Sequence, residues 1–325
     1  MNAFAAVGIA WWHWLIFVGG VTVFLALDLG WFHRGACVVR VKEALLWTAG
    51  WMALALLFGA LLELWRGRTE ALQFFTGYLL ELALSLDNVF VMALIFSSLS
   101  IPLEYQHRVL CWGLLGALAL RGVLIGLGAA LVAALSWMLY VLGAFVLFTG
   151  VRVLFVQPRV TPEKHWVLRL ARRFFPVTPG LDGQRFVTRW QGTLALTPLA
   201  MALLMVETAD LVCAMDSIPA IFAVTTKPFI MFTSNVFAIL CLRSVYSVLA
   251  GAIRYFRFLK AGLSAVLIFI GAKMLLDPHG QPARGLQVEI PLALSLAVVA
   301  GIVLLAAALS VLAAYLERRR DSGEA

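Results

Sequence analysis

The sequence predicts an all-α polytopic membrane protein of about nine transmembrane helices, with a core of two three-helix units in inverted repeat. Three observations lead there. Apolar stretches of membrane-spanning length recur along the whole chain, basic residues gather at alternate ends of those stretches, and one pattern of acid, arginine and glycine-x-base occurs twice. Of the 325 residues 63% are hydrophobic and 13% charged, with a mean hydropathy of +0.96. A soluble domain carries about 25% charged residues, whereas a helix crossing about 30 Å of hydrocarbon needs about 20 mostly apolar ones.

The first span is expected at 11–32. It is read as a retained helix, because MNAFAAVGIA has neither a basic region nor a small-residue cleavage site. A second span at 44–64 completes an N-terminal pair within residues 1–70. Spans at 72–98, 108–134 and 136–156 form repeat unit 1, residues 72–156; the basic segment 157–192 forms a cytoplasmic loop. Spans at 193–215, 229–251 and 260–276 form repeat unit 2, residues 193–276, and 290–315 is a last helix within the C-terminal segment 290–325. The chain is expected to be a single transmembrane domain, since its longest break is too short for a soluble one.

The net charge of +8 follows the same layout. Arg34, Arg40, Lys42, Arg108, the 157–192 bases, Arg254, Arg257, Lys260 and Arg318 to Arg320 fall on one side of the membrane, against Arg66, Arg68, Lys227 and Arg284 on the other. Basic loops face the cytoplasm. The expected location is therefore the cell inner (cytoplasmic) membrane, with the N-terminus outside and the C-terminus inside. The partner of this charge is the lipid bilayer, not nucleic acid. Tryptophans such as Trp11, Trp12, Trp14 and Trp65 read as interfacial anchors.

The chemistry lies in acids where acids are costly. VETADLVCAMDSIPAIFA, residues 206–223, holds Glu207, Asp210 and Asp216 beside Pro219, and ELALSLDNVF, residues 81–90, holds Glu81 and the pair Asp87-Asn88. Aligning Asp87-Asn88 with Asp216-Ser217 sets Glu81 against Asp210. The next spans then supply Arg121 and Arg243, and the following ones Arg152 and Lys273, at intervals of 31 and 30 residues. Each unit has an odd number of spans, so the second enters from the opposite side, as in many secondary transporters.

A charged acid at the centre of a membrane helix costs about 2.5–3.5 kcal/mol on insertion scales. Such acids face a cavity, bind an ion or pair with bases, and Arg121, Arg243, Arg152 and Lys273 are the available bases. Six residues turn a helix through 600°, so Glu81 and Asp87 lie about 120° apart, as do Asp210 and Asp216. The expectation is that each helix breaks near its aspartate, at Pro219 in one unit and around Asn88 in the other, bringing Asp87 and Asp216 face to face near the midplane. Glu207 and Asp210, at i and i+3, are neighbours in any case. Carboxylates, an amide and freed carbonyls suit hard divalent cations such as Mn²⁺, Mg²⁺ or Ca²⁺. The candidate metal ligands are Glu81, Asp87, Asn88, Glu207, Asp210 and Asp216, and proton-coupled antiport is an accompanying hypothesis. Asp28 is either an accessory ligand or a helix-end charge. Ser234 and Asn235 are expected to hydrogen-bond between helices, and Glu63, Glu70 and Glu104 to be solvated.

Cys37, Cys111, Cys213 and Cys241 have no CxxC spacing, and the five histidines form no pair at helical spacing, which argues against a zinc site. No phosphate-binding loop pattern is present.

At these residues the chain resembles the TerC family of integral membrane proteins, specifically its Alx-like branch, of the lysine-exporter superfamily type. The resemblance runs through FFTGYLLELALSLDNVFV, LGALALRGVLIGLG, LYVLGAFVLFTGVRVL, ALTPLAMALLMVETADLVCAMDSIPAIFAVTTKPFI, TSNVFAILCLRSVY and VLIFIGAKMLL, from about residue 74 to 276. It implies a non-enzymatic exporter with Mn²⁺ as its transported ion and no resident cofactor, working by alternating access. Glu81, Asp87, Glu207, Asp210 and Asp216 are then its metal-pathway acids, with Asn88 and Ser217 adjacent. Cys213 and Met215 depart from the family pattern and place a thiol and a thioether beside Asp216. Two other classes compete: a membrane redox or tellurite-resistance protein, for which no haem-ligand His pair, CxxC or flavin motif is found, and an intramembrane aspartyl protease, for which the GxGD motif is missing.

Overall fold

The structure, a computed structural model, describes residues 10–27, 41–135, 137–155, 166–190, 192–249, 258–276 and 290–321. Its elements are α1 (Trp11–Leu27), α2 (Val41–Arg66), α3 (Arg68–Ser98), α4 (Leu103–Ala134), α5 (Met138–Phe155), α6 (Trp166–Phe174), β1 (Val187–Trp190), β2 (Thr193–Leu196), α7 (Pro198–Phe222), α8 (Pro228–Leu249), α9 (Leu259–Leu276) and α10 (Leu292–Asp321). Each of the nine apolar stretches coincides with a helix. Among the described residues, α2, α3, α4, α5, α7, α8 and α10 are long and apolar enough to cross a membrane, and α1 contributes the shorter apolar run Trp11–Phe24.

Local chemistry sets several boundaries. Gly67, at φ +94°, separates α2 from α3 with no intervening loop, a backbone state that glycine adopts without a Cβ penalty. At α7 the expected start at 193 moves to Pro198. Thr193–Leu196 pairs instead with Val187–Trp190 as an antiparallel hairpin, and the Thr197 side chain accepts from the Ala200 N–H ahead of a proline that needs no donor. α6 and β1 lie in the segment 157–192 expected as a plain basic loop, and β2 in the first residues of the span expected at 193–215. The Leu168 side chain of α6 is buried against α4 and α7, while Arg169, Arg172 and Arg173 are exposed. Arg108 Nη1 donates to Gln184 Oε1 at 3.0 Å, tying α4 to the approach to β1.

The packing has a reciprocal pattern. α5 packs along α9, α3 along α8 and α4 along α7, so exchanging α3-α4-α5 for α7-α8-α9 returns the same pairs. The close approach of α5 and α9 repeats this in detail. A Cβ on Gly150 would meet the Ile268 backbone nitrogen at 2.8 Å, and one on Gly271 the Leu147 backbone nitrogen at 2.5 Å. Each contacted residue lies three positions before the opposite glycine, and the two helices run antiparallel through the crossing. Small residues permit such backbone contact in membrane bundles.

Aromatic side chains join the N-terminal helices to the core. Phe17, Phe58, Phe74 and Phe237 form a contiguous ring cluster between α1, α2, α3 and α8. Trp11 and Trp12 are exposed, as interfacial anchors should be, but Trp14 turns inward against Phe229 at 5.3 Å and Trp65 stacks on His13 at 4.6 Å. Packing against α8 and α1 accounts for these two.

Candidate functional site

Four core helices meet at one buried charged centre. Arg121 of α4 is 1% exposed, Glu81 of α3 0% and Asp210 of α7 3%. The Arg121 guanidinium pairs with Glu81 through Nη1, which also donates to Asn235 Oδ1 at 2.8 Å, and Nη2 reaches Asp210 Oδ1 at 3.3 Å. Asn235 of α8 returns a hydrogen bond from Nδ2 to Glu81 Oε2 at 3.1 Å. Asn88 Nδ2 donates to Asp210 Oδ1 at 2.9 Å, and Ser85, one turn after Glu81, donates to Glu81 Oε1 at 3.2 Å. Thus pairing with a base, one of the alternatives for these acids, is present at Arg121; Asn235 makes the interhelical bonds expected of it, whereas Ser234 Oγ donates within α8 to the Met231 carbonyl at 3.1 Å.

Among the described side chains the centre sets two carboxylates against one guanidinium, and a third carboxylate lies close by. Glu207, half-buried, sits one turn from Asp210 and rests its carboxylate against Gly113 and Gly116 of α4, where any Cβ on Gly116 would collide with it. Asp210 Oδ2, Arg121 Nε and Ser217 Oγ are buried without a hydrogen-bond partner among the described residues. Such groups are rare in folded proteins, and each calls for an explanation. Beside Asp210 a cavity of about 30 Å³ opens between α3, α4, α7 and α8, with Asp210 the charged residue in its lining.

The two helix breaks are not observed. α3 runs unbroken through Asn88, and α7 continues past Pro219 to Phe222. Pro219 forgoes the bond to the Met215 carbonyl only three residues before the helix ends, where the regular ladder is about to stop. Convergence comes across helices instead, through Arg121 and the two asparagines. The 120° offset within each helix therefore persists: Asn88, not Asp87, meets α7, while half-buried Asp87 lies in electrostatic reach of Lys260. Half-buried Asp216 lies beside Thr149 and in electrostatic reach of the exposed Arg152. The expected meeting of Asp87 with Asp216 is replaced by these separate surroundings. Among the described residues no group of three or more His, Cys, Asp or Glu side chains is close enough to hold a metal ion. Glu81, Asn88 and Asp210 thus form the centre, with Asp87, Glu207 and Asp216 around it and not in one preassembled cage.

Of the accessory residues, Ser217 and Lys273 are buried; Asp28 and the Arg243 side chain lie outside the described residues. Glu63 and Glu104 are exposed as expected, but Glu70 is buried. It accepts from Arg66 Nε at 3.0 Å and Lys227 Nζ at 2.7 Å, because the end of α2 and the start of α8 converge on the first turn of α3. Ser85 was legible as the i+4 neighbour of Glu81. The burial of Glu70 had no local sequence signal.

A bundle of apolar helices enclosing a charged, hydrogen-bonded centre defines an integral membrane protein with a polar core. The chain belongs to the Integral membrane protein TerC family, which it matches over residues 66–322. It is 53% identical over 291 residues to the uncharacterized membrane protein STKORF319 of Myxococcus xanthus, covering 89% of this chain and 88% of the relative. It is 42% identical over 308 residues to Alx of Escherichia coli (strain K12), provisionally named a membrane-bound redox modulator, covering 90% and 92%. An uncharacterized membrane protein of Rickettsia felis is 36% identical over 267 residues, covering 82% and 89%. No solved structure matches the chain.

Proposed function

We propose that this chain exports a divalent metal ion, Mn²⁺ in the first instance, across the cytoplasmic membrane by alternating access, with Asp210 as the central acid of its path. The observation that carries this reading is Asp210, whose Oδ2 is buried with no hydrogen-bond partner among the described residues, in a centre where the described side chains set two carboxylates against one guanidinium and which opens onto a cavity. Uncompensated charge at that depth is costly unless a cation shares the site. Carboxylate and amide oxygens suit a hard cation. The scattered outer acids, Asp87, Glu207 and Asp216, act as relay or closing ligands that join the ion as helices shift. We take α3-α4-α5 and α7-α8-α9 as inverted units, a reading supported by the reciprocal contacts at Gly150 and Gly271.

The redox role belongs to the relatives' name. The described thiols Cys111, Cys213 and Cys241 form no disulfide with one another, and Cys111 lies 3.6 Å from His107 Nδ1, away from the charged centre's hydrogen bonds. The carboxylates therefore carry the proposal.

Proteoliposomes loaded with Mn²⁺ provide the test. Wild type should release the ion, whereas Asp210→Asn should release it at the protein-free rate while remaining folded, because its Oδ1 still accepts from Asn88 and Arg121. Asp87→Asn and Asp216→Asn should slow release. Full-rate release by folded Asp210→Asn would overturn the assignment. An imposed pH gradient should alter the wild-type rate; indifference to it would remove proton coupling.

A further inference from the structure

Two polar rungs connect α4 to α8, and an apolar column separates them. At one, Arg121 Nη1 donates to Asn235 Oδ1 at 2.8 Å; at the other, the Tyr246 hydroxyl donates to Gln106 Oε1 at 2.7 Å. From Gln106 to Arg121 is fifteen residues and from Asn235 to Tyr246 eleven. At 1.5 Å per residue the rungs stand about 16–22 Å apart along antiparallel helices. Between them α4 presents Leu110, Gly113 and Ala117, and α8 presents Ile239 and Leu242, residues that line the cavity of about 30 Å³. Their spacing of three and four keeps each set on one helix face. Asp210 stands at one end of that lining and Tyr246 at the other.

The second rung is itself held in place. Gln106 and Tyr246 are buried, Gln106 Nε2 donates to the Ile101 carbonyl at 2.9 Å, and the Tyr246 ring packs edge-on to Phe96 at 5.7 Å. Leu168 of α6 belongs to the same apolar cluster as Tyr246, so this rung lies at the end of the bundle that carries α6. A cavity of about 30 Å³ has the volume of roughly one water, and a small divalent cation gives up its water shell reluctantly. An ion moving along this column from Asp210 toward the α6 end would meet this pair.

We propose that Tyr246 and Gln106 form the barrier between the Asp210 centre and the α6 end of the bundle, and that their phenol and amide oxygens supply passing contacts to a partly dehydrated divalent cation. The proposal rests on the reading of Asp210 as the ion's central acid. Opening requires the Tyr246 hydroxyl to leave Gln106; the ring can then swing from the column, and the amide oxygen is freed toward it.

The test is access to the column. Ala117→Cys is introduced with the four native cysteines replaced, and its labelling by a small membrane-impermeant thiol reagent is compared in chains with Tyr246 intact, Tyr246→Phe and Gln106→Leu. Tyr246→Phe keeps the ring and removes the hydroxyl, and should speed labelling about fivefold, the population shift supported by one lost hydrogen bond. Gln106→Leu should do the same. In the chain with its native cysteines, Tyr246→Phe should change the maximal Mn²⁺ flux by about the same factor without altering the half-saturating concentration. Unchanged labelling and flux in both variants would overturn the barrier. Asp210→Asn separates the two ideas: it should abolish flux and leave Ala117→Cys labelling as in the parent, whereas retained flux would sink the ion-site reading and leave the barrier standing on its labelling.

Discussion

Arg121 is the residue on which the buried centre depends. It pairs with Glu81 and Asp210 from different helices, so removing its charge takes from both buried carboxylates the cation they share among the described residues. Arg121→Gln should cost about 3–5 kcal/mol, the usual penalty for breaking a buried pair from one side. Glu81→Gln in the same chain should restore much of that, since it removes the excess negative charge; thermal unfolding in detergent of the two single variants and the double one measures the coupling. Additive losses would show that Arg121 does not compensate Glu81. At this scale the sequence was informative about identity: acids and arginine stand out in apolar spans because burying them is costly, and Asn235 stands out for the same reason. It was not informative about azimuth. That Asn88 and not its neighbour Asp87 turns to Asp210 depends on how α3 is rotated against α7, which tertiary packing decides.

Helices α5 and α9 touch backbone to backbone, and two glycines make that contact. Gly271→Ala would place a Cβ 2.5 Å from the Leu147 backbone nitrogen, and Gly150→Ala one 2.8 Å from that of Ile268. Neither backbone can yield as a side-chain tip does, so the helices must separate. Each substitution should destabilise the folded protein by about 1–3 kcal/mol, the range for overpacking, and the two losses should be similar because the contacts are reciprocal. A loss confined to one glycine, in thermal unfolding, would contradict the reciprocity. The same scale shows where local sequence signals fell short. Helix existence followed from apolar length, but Pro219 suggested a break that its place in the last turn of α7 renders unnecessary. α6 and β1 were hidden in a segment whose arginines read as loop, although Leu168 of α6 is buried, and β2, with buried Ala195, was read as the start of a membrane span.

For the whole molecule, the charged centre, the reciprocal helix contacts and the cavity beside Asp210 are the features on which the proposed passage of one cation rests. The matched spacing of Glu81, Arg121 and Arg152 against Asp210, Arg243 and Lys273, from which we propose a duplication, was visible in the sequence. The single centre made by merging the halves was not, because it forms only when α4 carries Arg121 between the acids of both units. Equilibrium dialysis of the purified protein against Mn²⁺ tests the central claim most directly. Wild type should bind the ion saturably, and Asp210→Asn, still folded by its thermal transition, should lose that binding. Equal Mn²⁺ binding by wild type and folded Asp210→Asn would contradict the account.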